Sequence, residues 1–406
     1  MFDLLRVSAV GTSGASGASE LFQLLRDGRP RTRAELAALT GLARSTIAQR
    51  VDQLLNIGLV QPVSKATSTG GRPPSQFAFT PSARVILAAD LGALHATIAV
   101  SDLGGTILAQ HSSRINVADG PESVLTWMVE TQLRLLEQAG RIRSDVIAVG
   151  IGVPGPVEHN TGRPSNPPIM PGWHDFDVPR WVQRDFGVPV LVDNDVNIMA
   201  IGERSIAWPV TDHFMFVKVS TGIGSGIISG GLLQRGAQGT AGDIGHVPIK
   251  RGENTPCRCG NTGCVEALAS GPAIAASLRA VGIDAVDGNA VVELVRTGNI
   301  EAIQAVRQAG RDIGEVLIAS VSLMNPSVIA LGGSMSAAGE HLLAGVREVV
   351  YKRSMPLSTE HLSIVQSKAG DEAGVIGASI LAIEHALSPA GIDALLVADH
   401  PLPISV

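Results

Sequence analysis

Cysteine is nearly missing from this 406-residue chain: there are three, all between positions 257 and 264. Three thiols cannot form a disulfide framework, which excludes a small cysteine-stapled secreted scaffold. Aromatic residues are scarce, at 3%. No apolar run reaches the length of a membrane span. The opening stretch MFDLLRVSAVGTSGASGAS has neither the basic start nor the apolar centre of a signal peptide. A cytoplasmic protein with no membrane partner is therefore expected. What is plentiful is glycine, 46 residues in a chain that is 45% hydrophobic and 17% charged. That balance suits a soluble α/β protein with many tight strand–helix turns. The length allows two or three domains.

The net charge of −6 is unevenly spread. Residues 1–80 carry 9 Lys/Arg against 5 Asp/Glu, or +4, and the remainder carries 22 against 32, or −10. A basic module on an acidic body points to a nucleic-acid reader joined to something else. Residues 1–18 read as a flexible leader. SELFQLLRDGRP follows, with Leu21, Leu24 and Leu25 on one helical face and Ser19 as its expected N-cap. TRAELAALTG opens on a capping box, Thr32 and Glu35, and closes at Gly41. LARSTIAQRVDQLLNIGLV is a third helix, with Ile47, Val51, Leu54 and Leu55 inward and Gly58 at its end. Helix, short turn, helix is the helix-turn-helix layout. The third helix would present Arg44, Ser45, Thr46, Gln49 and Arg50 to the major groove of double-stranded DNA, where arginine and glutamine match guanine and adenine edges. GLVQPV and SQFAFTP read as two strands of a wing joined by SKATSTGGRPP, and Arg72 in that joint suits a minor groove. The winged helix-turn-helix domain is placed at 19–82.

From Val85 onward, apolar strands alternate with helices. VILAADLG, ATIAVSDLGG, TILAQHSSRI, VIAVGIGVPGPV, VPVLVDND, HFMFVKVSTGIGSGIISGG and SVIALGGSM supply the strands. PESVLTWMVETQLRLLEQAG and VNIMAIGERSIA read as helices. Ligands in such sheets gather beyond the carboxyl ends of strands. Asp90 and Gly92, Asp193 to Asp195, Ser220 to Gly226, and Gly332 with Gly333 all fall at those ends. The Gly-rich turn with Thr221, Gly222 and Gly224 offers backbone N–H groups to a phosphate. Cys257, Cys259 and Cys264 with His246 make a Cys3His set. Four N/S ligands close a tetrahedral zinc site with no open position, so the expected Zn2+ is structural.

VSTGIGSGI, GDIGH and CRCGNTGCVE resemble the signature of the ROK family, which holds sugar kinases and sugar-responsive repressors. The resemblance covers nearly the whole chain and implies an actin/hexokinase-like (ribonuclease H-like) sugar-kinase fold of two α/β lobes around a cleft. The lobes are placed at 83–200 and 201–406, with the zinc loop at 246–264. The resemblance also implies sugar contacts at Gly155, Asn166, Asn194, Asp195, Asp243, His246 and Glu266, with Asp195 as the proton acceptor of a kinase. Two departures stand out. Asp243 replaces the family's usual glutamate, which shortens its reach by a methylene. Gly92-Ala93-Leu94 replaces Gly-Gly-Thr, which removes a phosphate-binding hydroxyl and leaves Asp90 as a possible magnesium partner. The resulting expectation is a repressor of carbohydrate genes, not an enzyme, with no ATP or Mg2+ cofactor. Its partners would be operator DNA, a sugar or sugar-phosphate effector, and further copies of itself in a dimer or tetramer. The alternative is an ATP-dependent sugar kinase carrying an extra DNA-binding module. The tail SPAGIDALLVADHPLPISV carries no functional signal.

Overall fold

The computed structural model describes residues 17–63 and 75–398. Arg72 and residues 1–16 lie outside the described residues. The first helix already runs at Gly17–Leu25, so the leader expected over 1–18 gives way to helix at its last two positions. Ser19 is not a cap. It sits inside the helix and is fully buried, because Ala18, Leu21, Phe22 and Leu25 turn that face into a core. The second helix, Arg33–Thr40, has the expected capping box: the Thr32 hydroxyl accepts from the Glu35 amide and the Glu35 carboxylate accepts from the Thr32 amide. It ends at Gly41 in the left-handed region, with φ of 72°. The third helix, Arg44–Asn56, buries Ile47, Val51 and Leu54, while Leu55 is half-buried. Strands Val60–Val63 and Gln76–Phe79 pair antiparallel as the wing, and the short strand Arg31–Thr32 adds to the far edge. Phe79 meets Phe22 edge to face at 5.3 Å and ties the wing to the first helix.

The first lobe is a five-stranded sheet in the order Val190–Asn194, Val146–Val153, Val85–Leu91, Ala96–Asp102, Ile107–Ser113. The first three run parallel and the last two antiparallel. Every residue of Val85–Leu91 and of Val146–Val153 is buried, as expected for strands covered on both faces. Helices Pro121–Gln138 and Val178–Phe186 cover one face through Leu125, Met128 and Val182. Helix Ala373–Ala386 covers the other. The second lobe repeats the plan, with strands Leu232–Leu233, Ile223–Ser229, Phe214–Val219, Val328–Gly332 and Ser363–Gln366 in that order. Its core is closed by helices Gly271–Ala280, Gly288–Arg296, Ile300–Met324 and Glu340–Arg353.

The chain's end does not stay in the second lobe. Helix Ala373–Ala386 returns to the first sheet and crosses helix Asp195–Ala207 at backbone contact. Glycine makes that crossing possible. A Cβ at Gly377 would fall 1.7 Å from the Ile198 carbonyl oxygen, and one at Gly202 would fall 1.9 Å from that of Ala373. The tail that carried no signal in sequence forms helix Pro389–Val397, which packs on the first helix of the DNA-binding module. Leu21, Phe22 and Leu25 share one core with Ile86, Ile147, Ile383, Leu387 and Ile392. Polar ties flank that core: Arg26 pairs with Glu384 at 2.7 Å, and Gln23 donates to the Leu387 carbonyl at 2.9 Å. Among the described residues no single helix is long and apolar enough to cross a membrane.

Candidate effector cleft, metal cluster and DNA face

A cleft of about 570 Å³ gathers all seven expected sugar-facing residues: Gly155, Asn166, Asn194, Asp195, Asp243, His246 and Glu266. Each is held by local structure. Asn194 caps helix Asp195–Ala207: its Oδ1 accepts from the Val196 and Asn197 amides, and its Nδ2 donates to the Gly155 carbonyl at 2.8 Å. Gly155 stands at φ 90° against Pro167, a turn that a side chain would strain. Asn166 is exposed in the left-handed region at φ 44°, and its amide donates to His174 Nδ1 at 3.2 Å. Glu266 Oε2 accepts from the Ile223 amide at 2.9 Å and so holds the glycine-rich turn. Asp243 is exposed to the cleft, and partial desolvation raises its carboxyl above the usual value despite His246 nearby.

The same wall carries His246, Cys257 and Cys259, with Cys264 buried beneath them, and the ligand atoms of these four lie within 4.8 Å of one another. Cys259 Sγ is 3.7 Å from Cys264 Sγ, and Cys257 Sγ is 3.7 Å from His246 Nδ1. A tetrahedron with zinc–sulfur arms of about 2.3 Å has edges of about 3.8 Å. The donor set therefore fits a tetrahedral metal, and these four residues could hold one. His246 Nδ1 faces the thiols, while its Nε2 turns toward Asp243 Oδ1, 4.0 Å away. The loop is tied to the second lobe by Arg251, whose Nε donates to the buried Asp312 at 2.9 Å.

The expected phosphate loops are placed differently. Thr221, Gly222 and Gly224 line the cleft beside Glu266; Asp90, Gly92, Gly332 and Gly333 do not. Asp90 is buried against helix Ala373–Ala386, where a Cβ at Gly374 would fall 2.0 Å from its Oδ2. Burial pushes its carboxyl up to about 7; Lys218 opposes the rise, and Asp195 and Asp371 add to it. The His95 imidazole lies on Gly92, whose amide donates to the His95 carbonyl. Gly332 and Gly333 pack against Phe216 and the Val219 carbonyl, behind the Ser220 turn.

Three functional-site partners escape the sequence reading. Lys218 Nζ lies 2.5 Å from Asp195 Oδ2, and both side chains are largely buried. Arg235 Nε donates to Asp193 Oδ2 at 2.7 Å, and Asn197 donates to the other oxygen, so Asp193 is a bracing group behind the wall. His95 fills the first loop. One signal was available for Lys218: it is the single charge in the strand FMFVKV.

On the DNA-binding module, Arg44, Ser45 and Gln49 are exposed on the third helix, and Thr46 is half-buried. Arg50 departs from the expected outward set. It is half-buried, with its guanidinium folded against Gly17 of the first helix.

Comparison with known proteins agrees with this division. The ROK family model matches residues 86–385, and a winged helix-turn-helix DNA-binding model matches 21–61. The chain is 28% identical over 382 residues to a putative xylose repressor of Caldicellulosiruptor sp., covering 91% of this chain and 95% of the relative. It superposes at a TM-score of 0.79 and 24% identity on a ROK family transcriptional regulator described as a homologue of the E. coli MLC protein, over 94% of this chain and 98% of that one. A ROK family glucokinase from Streptomyces griseus, solved with glucose and AMPPNP, superposes at a TM-score of 0.62 and 28% identity. It covers 73% of this chain and 99% of its own.

Proposed function

The chain belongs to the ROK family, and on that premise we propose that it is a sugar-responsive, DNA-binding transcriptional repressor whose effector sits in the inter-lobe cleft. One observation carries the proposal. Helix Ala373–Ala386 meets Asp90, which is buried behind the cleft, at one end through Gly374, and the DNA-binding module at the other, through Glu384 on Arg26. It also crosses helix Asp195–Ala207, which begins at the cleft residues Asn194 and Asp195. A ligand that prefers one arrangement of the lobes would shift this helix and bias how paired modules sit on DNA. Two modules in register require an even-numbered assembly. Such a protein works where the DNA is, in the cytoplasm.

The effector class is a monosaccharide, held by carboxylates and amides that bond to its hydroxyls. A pentose such as xylose is the first candidate, because a relative matched over nearly its full length is called a xylose repressor. The metal of the Cys3His cluster is structural zinc: bound there, it locks the loop that carries Asp243, His246 and Glu266. Within the chain, His246 spans both tasks, one nitrogen on the cluster and the other toward the cleft. Arg44, Ser45, Thr46 and Gln49 read the major groove, and Arg50 supports the helix from behind.

The test is a gel-shift titration with DNA from upstream of the protein's own gene, with and without a panel of neutral sugars. The reading expects specific binding that one sugar changes at least about tenfold, a coupling of about 1.4 kcal/mol. Absence of specific binding to any fragment, with every sugar, would overturn it.

A second reading, ATP-dependent sugar phosphorylation, draws on Asp195 and on the glycine turn that lines the cleft. Sugar-dependent ATP turnover abolished by Asp195→Asn would establish it.

A further inference from the structure

Lys218 is a charge in an apolar place. It lies on strand Phe214–Val219, where Val217 and Val219 face the second-lobe core. Lys218 alternates onto the other face, with Phe214 and Phe216, beneath the first turn of helix Asp195–Ala207. Its side chain is only 14% exposed and that of Asp195 only 4%. An ammonium so placed is costly unless carboxylates surround it. Here one carboxylate is in contact and a second is in its field. Burial pulls the Lys218 amine down, but the Asp195 charge and hydrogen bond, then the Asp90 charge, outweigh burial and raise it above its usual value. The same ammonium opposes the rise at Asp90 and helps to lower the His95 imidazole. Three ionisable groups, Asp90 on a strand, Asp195 at the start of a helix and His95 in a loop, therefore share the field of one positive charge.

We propose that Lys218 is the built-in cation of this cleft: its ammonium balances Asp195 as a divalent ion otherwise would, so the cleft binds an uncharged sugar without metal. The proposal rests on the sugar-cleft reading for its ligand, but not for its charge balance. A divalent ion at these carboxylates would have to displace a bonded ammonium. Asp195 Oδ2 is already engaged by a Lys218 N–H, which leaves Asp195 a hydrogen-bond acceptor for a sugar hydroxyl through its other oxygen. Lys218 is thus a positioning residue. It holds Asp195 in place and makes the site indifferent to magnesium.

The experiment is a Mn2+ titration of the full chain followed by electron paramagnetic resonance, with no sugar present. Wild type and Asp195→Asn should give the same titration, with no site that depends on Asp195. Lys218→Met, which keeps length and removes charge, should gain about one Mn2+ per chain at least about tenfold more tightly than wild type, because hard carboxylate oxygens then lack a counter-ion. Adding Asp195→Asn to that variant should abolish the gain, and Lys218→Arg should behave as wild type. A wild-type Mn2+ site lost in Asp195→Asn would overturn the proposal. So would a folded Lys218→Met protein, checked by circular dichroism, that takes up no Mn2+. If Lys218→Met does not fold, the wild-type and Asp195→Asn comparison decides alone. Failure to find any sugar effector would sink the regulator reading and leave this result standing.

Discussion

The sugar-facing wall of the cleft and the expected phosphate loops come from the same fold and are placed differently. Along the wall, Asn194, Asp243, His246 and Glu266 stand open to the cleft, beside a four-ligand cluster and held by backbone hydrogen bonds. Of the expected phosphate loops, Thr221, Gly222 and Gly224 line the cleft, whereas Asp90, Gly92, Gly332 and Gly333 do not; the His95 ring lies on Gly92, and Asp90 faces a helix backbone. Recognition needs preformed polar groups with free hydrogen-bonding capacity. Phosphoryl transfer also needs room for a metal and for a triphosphate. On the proposed reading this cleft keeps the first and does without the second.

The largest expected effect is at the metal cluster. Cys264→Ser, at a fully buried ligand, should reduce bound zinc from about one per chain to nearly none and destabilise the loop by several kcal/mol. Elemental analysis and sugar titration should fall together. A variant that loses metal and keeps its sugar response would separate the cluster from the sugar-facing wall.

Asp195→Ala comes next, because it leaves Lys218 buried without its partner. A loss of about 3–5 kcal/mol in urea unfolding is expected, and an unchanged midpoint would contradict the pairing. Asp90 supplies a pH test of the first phosphate loop. Its folded carboxyl, at about 7, lies above the unfolded value, so the folded state holds the proton more tightly. The stability this contributes is complete below about pH 4 and is lost as pH rises through 7. Asp90→Asn should therefore gain on wild type by on the order of 2–4 kcal/mol between pH 4 and pH 8. A constant difference across that range would place Asp90 outside the buried field of Lys218, Asp195 and Asp371.

Smaller effects lie outside the cleft. Arg44→Ala or Gln49→Ala should weaken specific operator binding by about 1–3 kcal/mol with sugar binding intact. Fluorescence anisotropy would read this, and an equal affinity would remove them from base contact. Arg26→Ala should cost about 1 kcal/mol, appearing as a weaker effect of sugar on DNA binding while each separate affinity stays near wild type. If the sugar effect is untouched, the coupling does not run through Glu384.

What was legible in sequence was local. The Thr32–Glu35 capping box spans four residues, and the strands announce themselves as apolar runs. The Cys3His cluster compresses three ligands into eight positions. What escaped reading joins distant residues. Lys218 meets Asp195 across 23 positions, Arg235 meets Asp193 across 42, and Arg26 meets Glu384 across 358. No spacing rule links such pairs, because the sheet order and the returning C-terminal helix bring them together. Ser19 misled for the complementary reason. As a favoured capping residue beside an apolar run it reads as a helix start, but the core under helix Pro389–Val397 extends the helix past it. Arg50 reads as outward by helical period, yet its long side chain folds back on Gly17.

The most direct test is calorimetric titration of the zinc-loaded full chain with xylose, glucose and N-acetylglucosamine, with and without Mg–AMPPNP. The account predicts that one sugar binds with an affinity the nucleotide leaves unchanged within about twofold, a difference under about 0.4 kcal/mol, and that Mg–AMPPNP alone gives no binding heat. Nucleotide binding by itself, or sugar binding that requires it, would contradict the proposed sugar-sensing role and reopen the kinase reading.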